Sequence, residues 1–273
     1  MKDSHVHTNI SHDGISTINE YIAHAKNIGV DEITFTEHYD DYSDIETNLK
    51  TLMVLSYYQE YFCKQREDRY FKTNFGIEFG LQPNEKLKEK INDMTRYYPF
   101  DFIIGSSHIT CKKDIAKDSS FFDGLSRKEA YMKYFLEVLE NIKLYDEFDV
   151  YGHLDYIVRY GGYDLKSIDY HEFQEILDEI LINLIKKDKG IELNTSGIRY
   201  SLDSFHPNVD ILKRYKELGG KIITLGSDAH KTDDLASNFK MAYQLLESVG
   251  FELIATYHNR VPDFTKIKSL KFN

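Results

Sequence analysis

His5 and His7 stand two residues apart, as do Asp228 and His230. In an extended strand such pairs point to one face, so each pair can offer two ligands on the same side. His12 follows in the next loop and can fold back, while His38, Glu78, His108 and His153 each fall at or just beyond the end of a separate short apolar run. Seven of the eleven histidines and two carboxylates therefore keep one phase along the chain. Solvated surface histidines have no reason to do so, and packing alone would favour apolar groups at a buried mouth. Nitrogen and oxygen donors without a thiolate suit Zn, Mn or Fe, and so much imidazole is too nitrogen-rich for Ca or Mg alone. The set is too large for one ion. At roughly four or more ligands per ion, it can serve three divalent transition metals once water or substrate completes each shell. Glu78, the one carboxylate at a central strand, is the natural bridge.

Bringing those positions together requires strands whose C-terminal ends converge, which is where a parallel barrel carries its working residues. The runs Lys2 to Val6, Glu32 to Thr36, Phe75 to Phe79, Phe100 to Gly105, Phe148 to Tyr151, Gly190 to Leu193 and Lys221 to Leu225 read as seven strands. Amphipathic stretches separate them, as crossover helices would. Thr17-Ile18-Asn19-Glu20 and Ser126-Arg127-Lys128-Glu129 have capping-box spacing. Further helices are expected from about Ile45 to Arg69, Asn84 to Tyr98, Tyr170 to Lys187 and Leu235 to Ser248, with a last strand from Phe251 to Thr256. No repeat or Pro/Gly-rich linker divides the 273 residues, which read as one α/β domain.

Composition narrows the partners. Lys+Arg 34 against Asp+Glu 45 gives a net charge of −11, which argues against nucleic acid. No apolar stretch approaches the ~20 residues of a membrane span. The start, Met1-Lys2-Asp3-Ser4-His5, has no apolar signal core, and Cys63 and Cys111 are far apart. A cytoplasmic protein with reduced thiols is expected. The sequence carries no signal for oligomeric state.

The motifs His5-Val6-His7 with His12, Thr36-Glu37-His38, Gly76-Ile77-Glu78, Gly105-Ser106-Ser107-His108, Gly152-His153-Leu154-Asp155, Glu192 to Arg199 and Gly226-Ser227-Asp228-Ala229-His230 resemble the PHP (polymerase and histidinol phosphatase) family. Within it, the chain is similar to the monofunctional L-histidinol-phosphate phosphatases over nearly its whole length. The resemblance implies a distorted (β/α)7 TIM-like barrel with a trinuclear site. It also implies that His5, His7, Glu78 and Asp228 hold one metal, Glu78, His108 and His153 a second, and His12, His38 and His230 a third. Glu37 stands where the family often has Asp, a position that is not a ligand.

The implied reaction is hydrolysis of a small phosphate monoester by a metal-bridging hydroxide that attacks phosphorus. Arg159 and Arg199, both in loops beyond strands, are the candidates to stabilise the phosphoryl oxygens, because a guanidinium fork matches them. A metal-bound water, His206 or Asp155 could protonate the leaving group, and Asp155, Tyr42 and Asp114 could meet a substrate ammonium. His24, His171 and His258 read as structural. Another PHP phosphoesterase, acting on protein tyrosine or nucleotide phosphates, is the main competing expectation. An amide hydrolase on a similar barrel accounts less well for the paired arginines.

Overall fold

The short β-branched runs form seven parallel strands, β1 (Lys2–Val6), β2 (Glu32–Asp40), β3 (Lys72–Gly80), β4 (Phe102–Ser106), β5 (Val150–Tyr151), β6 (Gly190–Asn194) and β7 (Ile223–Gly226). The computed structural model describes residues 1–41, 59, 62 and 71–269. Tyr42, Cys63 and, apart from Gln59 and Phe62, the helix expected from Ile45 to Arg69 lie outside the described residues.

The strands follow one another in sequence order across the sheet. A parallel bridge between Val6 and Ala229 brings the last strand end back to the first. His7 donates its backbone N–H to Ala229 O at 2.8 Å and Asp228 to His5 O at 2.9 Å, nearly closing the barrel. Asp3 fastens the same seam by accepting from Ser227 N at 3.0 Å, Ser227 Oγ at 2.5 Å and Ala236 N at 2.9 Å.

Among the described residues, six helices cover the outside: α1 (Ile18–Ile28), α2 (Glu85–Tyr97), α3 (Arg127–Leu144), α4 (Gln174–Lys186), α5 (Val209–Glu217) and α6 (Phe239–Val249). Both capping boxes form, at Thr17 and Ser126, and α1 stops at Gly29 in the left-handed region. Their buried faces, Tyr21, Leu87, Tyr134, Leu181, Leu212 and Tyr243 among them, join the outward residues of the strands in the main core. No described helix is long and apolar enough to cross a membrane.

Two features differ from the expectation. The last strand is half of an antiparallel hairpin, β8 (Leu253–His258) with β9 (Val261–Lys266), outside the barrel sheet. Ala255 and Tyr257 pack on Phe102, Ile104 and Val150 in a separate core cluster, with Tyr257 stacked on Phe102 at 5.0 Å. The hairpin thus adds apolar packing to inward strand residues on the side away from the histidines. Second, β2 continues to Asp40, so His38 lies inside a strand rather than after it.

Candidate metal centre

Strand pleat and register assemble the site. His38 is in register with Glu78, and Glu78 with Ile104, so neighbouring strands present β2 and β3 ligands side by side. His153 and Asp228 follow β5 and β7 in backbone of positive φ, 21° and 54°. Such conformations are costly for residues with a Cβ and concentrate at functional sites.

Around Glu78 Oε2 lie His5 Nε2 at 3.3 Å and His7 Nε2 at 3.4 Å. The two imidazole nitrogens are 2.9 Å apart, and Asp228 Oδ1 is 3.7 Å from His5 and 3.5 Å from His7. These separations bracket the ~3.3 Å edge of a tetrahedron built on ~2.05 Å metal–ligand bonds. Glu78 Oε1 faces the other way, 2.9 Å from His153 Nε2 and 3.3 Å from His108 Nε2. One carboxylate therefore serves two donor groups.

In the third group a carboxylate joins the implied histidines. Asp13 Oδ2 is 3.5 Å from His38 Nε2 and 3.2 Å from His230 Nε2, whereas His12, half-exposed, lies 3.9 Å from the same oxygen. Asp13, rather than His12, sits between the two rings, which stack on either side of His7 at 4.0 and 4.4 Å.

Hydrogen bonds behind the rings set their tautomers. A carboxylate or carbonyl oxygen can only accept, so the ring proton sits on Nδ1 wherever Nδ1 meets one. His5 Nδ1 donates to Glu192 at 2.6 Å, His108 Nδ1 to Asp40 at 3.0 Å and His230 Nδ1 to the Asp228 carbonyl at 3.0 Å. Each Nε2 is thereby aimed inward, the arrangement by which outer partners orient metal-binding histidines. Glu37 accepts from Thr8 and Ser11, through backbone and hydroxyl groups at 2.6 to 3.2 Å, and so fixes the loop that carries His12 and Asp13.

The donor set fits divalent metals. Glu78 Oε2 and His38 Nδ1 are buried 2.9 Å apart, yet neither makes a hydrogen bond. Burial alone would neutralise Glu78, but His5, His108 and His38 hold its carboxyl well below the usual range. Burial likewise opposes charge on His108, whose pKa Asp40 and Glu78 nevertheless push up to about 10. His7, buried beside His38 and His230, is held well below 6.5.

Gly226 permits this crowding, since a Cβ there would lie 2.2 Å from Glu192 Oε1 and 2.4 Å from His5 Cβ. Gly226→Ala is expected to push Glu192 off His5 Nδ1 and weaken metal binding ~10–100-fold, as loss of such outer partners does. A metal titration of the refolded variant measures this.

Arg159 is buried against this centre. Its Nη2 donates to Ser196 Oγ and lies 3.5 Å from Asp228 Oδ2, and its guanidinium packs over Tyr200 at 4.2 Å and Tyr156 at 4.8 Å. It lines the cavity above the histidines with Asp114, Lys117, Tyr156 and Tyr200.

Arg199 does not line that cavity. Its Nη1 donates to Ser227 O and Ser237 Oγ and its Nη2 to Asp228 O, with Nε 3.6 Å from Asp234. Its donors fix the backbone that carries Asp228, where the sequence reading expected them to meet phosphate. His206 and Asp155, expected at the substrate, are buried outside the cavity lining and bonded to each other. Sequence reasoning gave no role to Asp13, Asp40, Glu192 or Lys117. Asp13 next to His12 and Asp40 two residues beyond His38 carried the usable signal.

The PHP domain model matches residues 3–196. A histidinol-phosphatase of Lactococcus lactis is 34% identical over 275 residues, covering 98% of each chain. A relative in Clostridium acetobutylicum, named probable histidinol-phosphatase, is 32% identical over 92% of this chain and 94% of its own. Among solved structures, the Lactococcus lactis histidinol phosphate phosphatase complexed with zinc, L-histidinol and phosphate superposes with a TM-score of 0.81 at 32% identity, covering 96% of this chain and 98% of that one. A Listeria monocytogenes chain, 20% identical with a TM-score of 0.74 over 88% of this chain and 99% of that one, shares the fold. With a distorted seven-stranded barrel, histidine–carboxylate clusters at its mouth and these relatives, the chain belongs to the PHP domain family.

Proposed function

We propose that the chain is a metal-dependent phosphomonoesterase that hydrolyses L-histidinol phosphate to L-histidinol and phosphate, a step of L-histidine biosynthesis. The observation that carries this reading is the convergence of buried histidines, Glu78 and Asp228 on one centre beside a cavity that the Arg159 guanidinium lines, in a chain alike over its length to a histidinol-phosphatase.

His5, His7, Glu78 and Asp228 would hold one metal, Glu78, His108 and His153 a second, and His38, His230 and Asp13 a third, with His12 at the rim. Zn, Mn and Fe all suit such donors. When bound, the metals lower the pKa of coordinated water and polarise phosphoryl oxygens near neutral pH. Arg159 holds a fixed positive charge beside Asp228, where negative charge on the phosphoryl oxygens must be met. Tyr156 and Tyr200 flank the guanidinium and limit its freedom. Asp114, which lines the cavity, is the carboxylate that would meet the substrate's ammonium. His206 is not the proton donor to the leaving group, because its Nδ1 proton faces Asp155 and its Nε2 accepts from Arg159. The 273 residues act as a single domain in the cytoplasm under this reading.

Phosphate release from L-histidinol phosphate, beside p-nitrophenyl phosphate, a phosphotyrosine peptide and a nucleoside bisphosphate, tests the substrate. The expected result is the highest kcat/KM for histidinol phosphate, abolished by a chelator and restored by metal. Comparable or better turnover of another ester would replace the substrate with that of another PHP phosphoesterase and keep the metal chemistry.

A further inference from the structure

Asp155 and His206 are fully or almost fully buried, yet they neither line the cavity nor join a metal-binding group. Asp155 Oδ1 is 2.5 Å from His206 Nδ1, and its Oδ2 accepts the backbone N–H of Asn208 at 3.0 Å. Because the carboxylate can only accept, the ring proton stays on Nδ1 and Nε2 keeps its lone pair. That lone pair takes the Arg159 Nε–H at 3.0 Å. The ring is itself fixed to the end of β6, since His206 and Asn194 exchange backbone hydrogen bonds of 2.9 and 2.7 Å.

We infer that Asp155 and His206 are positioning residues, a relay that grips the Arg159 guanidinium from behind and turns its other edge toward the substrate phosphoryl group. The inference rests on the phosphate-ester reading above. Arg159 Nη2 is steadied by Ser196, whereas Nη1 has no partner among the described residues and is left for a phosphoryl oxygen. Burial, with the neighbouring Arg159 charge, keeps His206 below the ordinary imidazole range despite Asp155, so the ring is a neutral acceptor. A protonated ring would present a donor to a donor.

The relay makes a chemical distinction that packing does not. His206→Leu removes the acceptor and is expected to lower kcat/KM for histidinol phosphate ~10–100-fold, the usual effect of an outer partner. His206→Gln places a carbonyl oxygen near the Nε2 position and should restore most of that loss. In Asp155→Asn the amide can donate to Nδ1 and shift the proton to Nε2, opposite the Arg159 Nε–H, so this variant should resemble His206→Leu.

The test is a double-mutant cycle with metal content and melting temperature measured for every variant, alongside ring ¹⁵N shifts of His206. The expected results are no further loss from His206→Leu in an Arg159→Ala background, a weaker competitive inhibition constant for inorganic phosphate in His206→Leu, and an Nδ1–H ring that becomes Nε2–H in Asp155→Asn. Equal losses from His206→Leu with and without Arg159 would overturn the relay, as would a Gln variant no better than Leu at full metal content. A wild-type protein inactive on every phosphate ester would instead overturn the phosphatase reading. The ¹⁵N shifts then decide the relay alone, and an Nε2–H ring in the wild type overturns it.

Discussion

Glu78→Gln is expected to cost about 10³-fold or more in kcat, because metal activation supplies several kcal/mol and each ~1.4 kcal/mol is a decade of rate. The reason lies in how one side chain is shared. Oε2 faces His5, His7 and His38 at 2.9 to 3.4 Å, while Oε1 faces His108 and His153 at 3.3 and 2.9 Å and accepts from Ser106 Oγ at 2.6 Å. Glutamine has nearly the same shape, yet one of its two ends becomes an NH₂ group that cannot accept. One donor group then loses its anion, whichever way the amide turns. Bound metal per chain should fall along with activity, while circular dichroism stays that of a folded barrel. Wild-type turnover at full metal content would remove Glu78 from the bridging position.

Arg159→Ala should lower kcat/KM by ~10²–10³-fold, the scale set by deleting one preorganised donor to developing transition-state charge. Arg159→Lys should recover little of it. A lysine ammonium is a point charge and cannot at once donate to His206, to Ser196 and to phosphate as Nε, Nη2 and Nη1 of the planar guanidinium can. Arg199→Ala acts differently, because the backbone carbonyls of Ser227 and Asp228 each lose the Arg199 donor. Its loss should appear first in the melting temperature and metal retention. A large fall in kcat/KM with both of those unchanged would return Arg199 to the substrate.

The parts of this site that were legible from sequence are those governed by strand periodicity. His5, His7 and Glu78 could be placed because two-residue alternation in a parallel barrel fixes which face they share, and His108 and Asp228 because they fall just beyond strand ends. Reading stopped where polar residues lie inside a strand. Thr36-Glu37-His38 resembles the start of a loop, yet Glu37 is buried by hydrogen bonds to Thr8 and Ser11, so β2 runs on to Asp40.

Loops were harder, since nothing periodic fixes where their side chains point. His12 and Asp13 are adjacent, and only the folded loop decides that the carboxylate faces His38 and His230. The two arginines posed the same problem. A guanidinium has five donors and many acceptors within reach, and the distinction between Arg159 in the cavity and Arg199 on the β7 backbone depends on tertiary contacts. The short helix α5 also went unread, although Asn208 caps it by accepting from Asp210 N and Ile211 N. Its nine residues are too few to show a clear apolar period.

The most direct test of the account is phosphate release from L-histidinol phosphate as metal-free protein is titrated with one divalent metal, with bound metal counted at each point. The account predicts no turnover without metal and a rise that levels off at three ions per chain. Full turnover in the metal-free protein, or a plateau reached at a single ion, would contradict it.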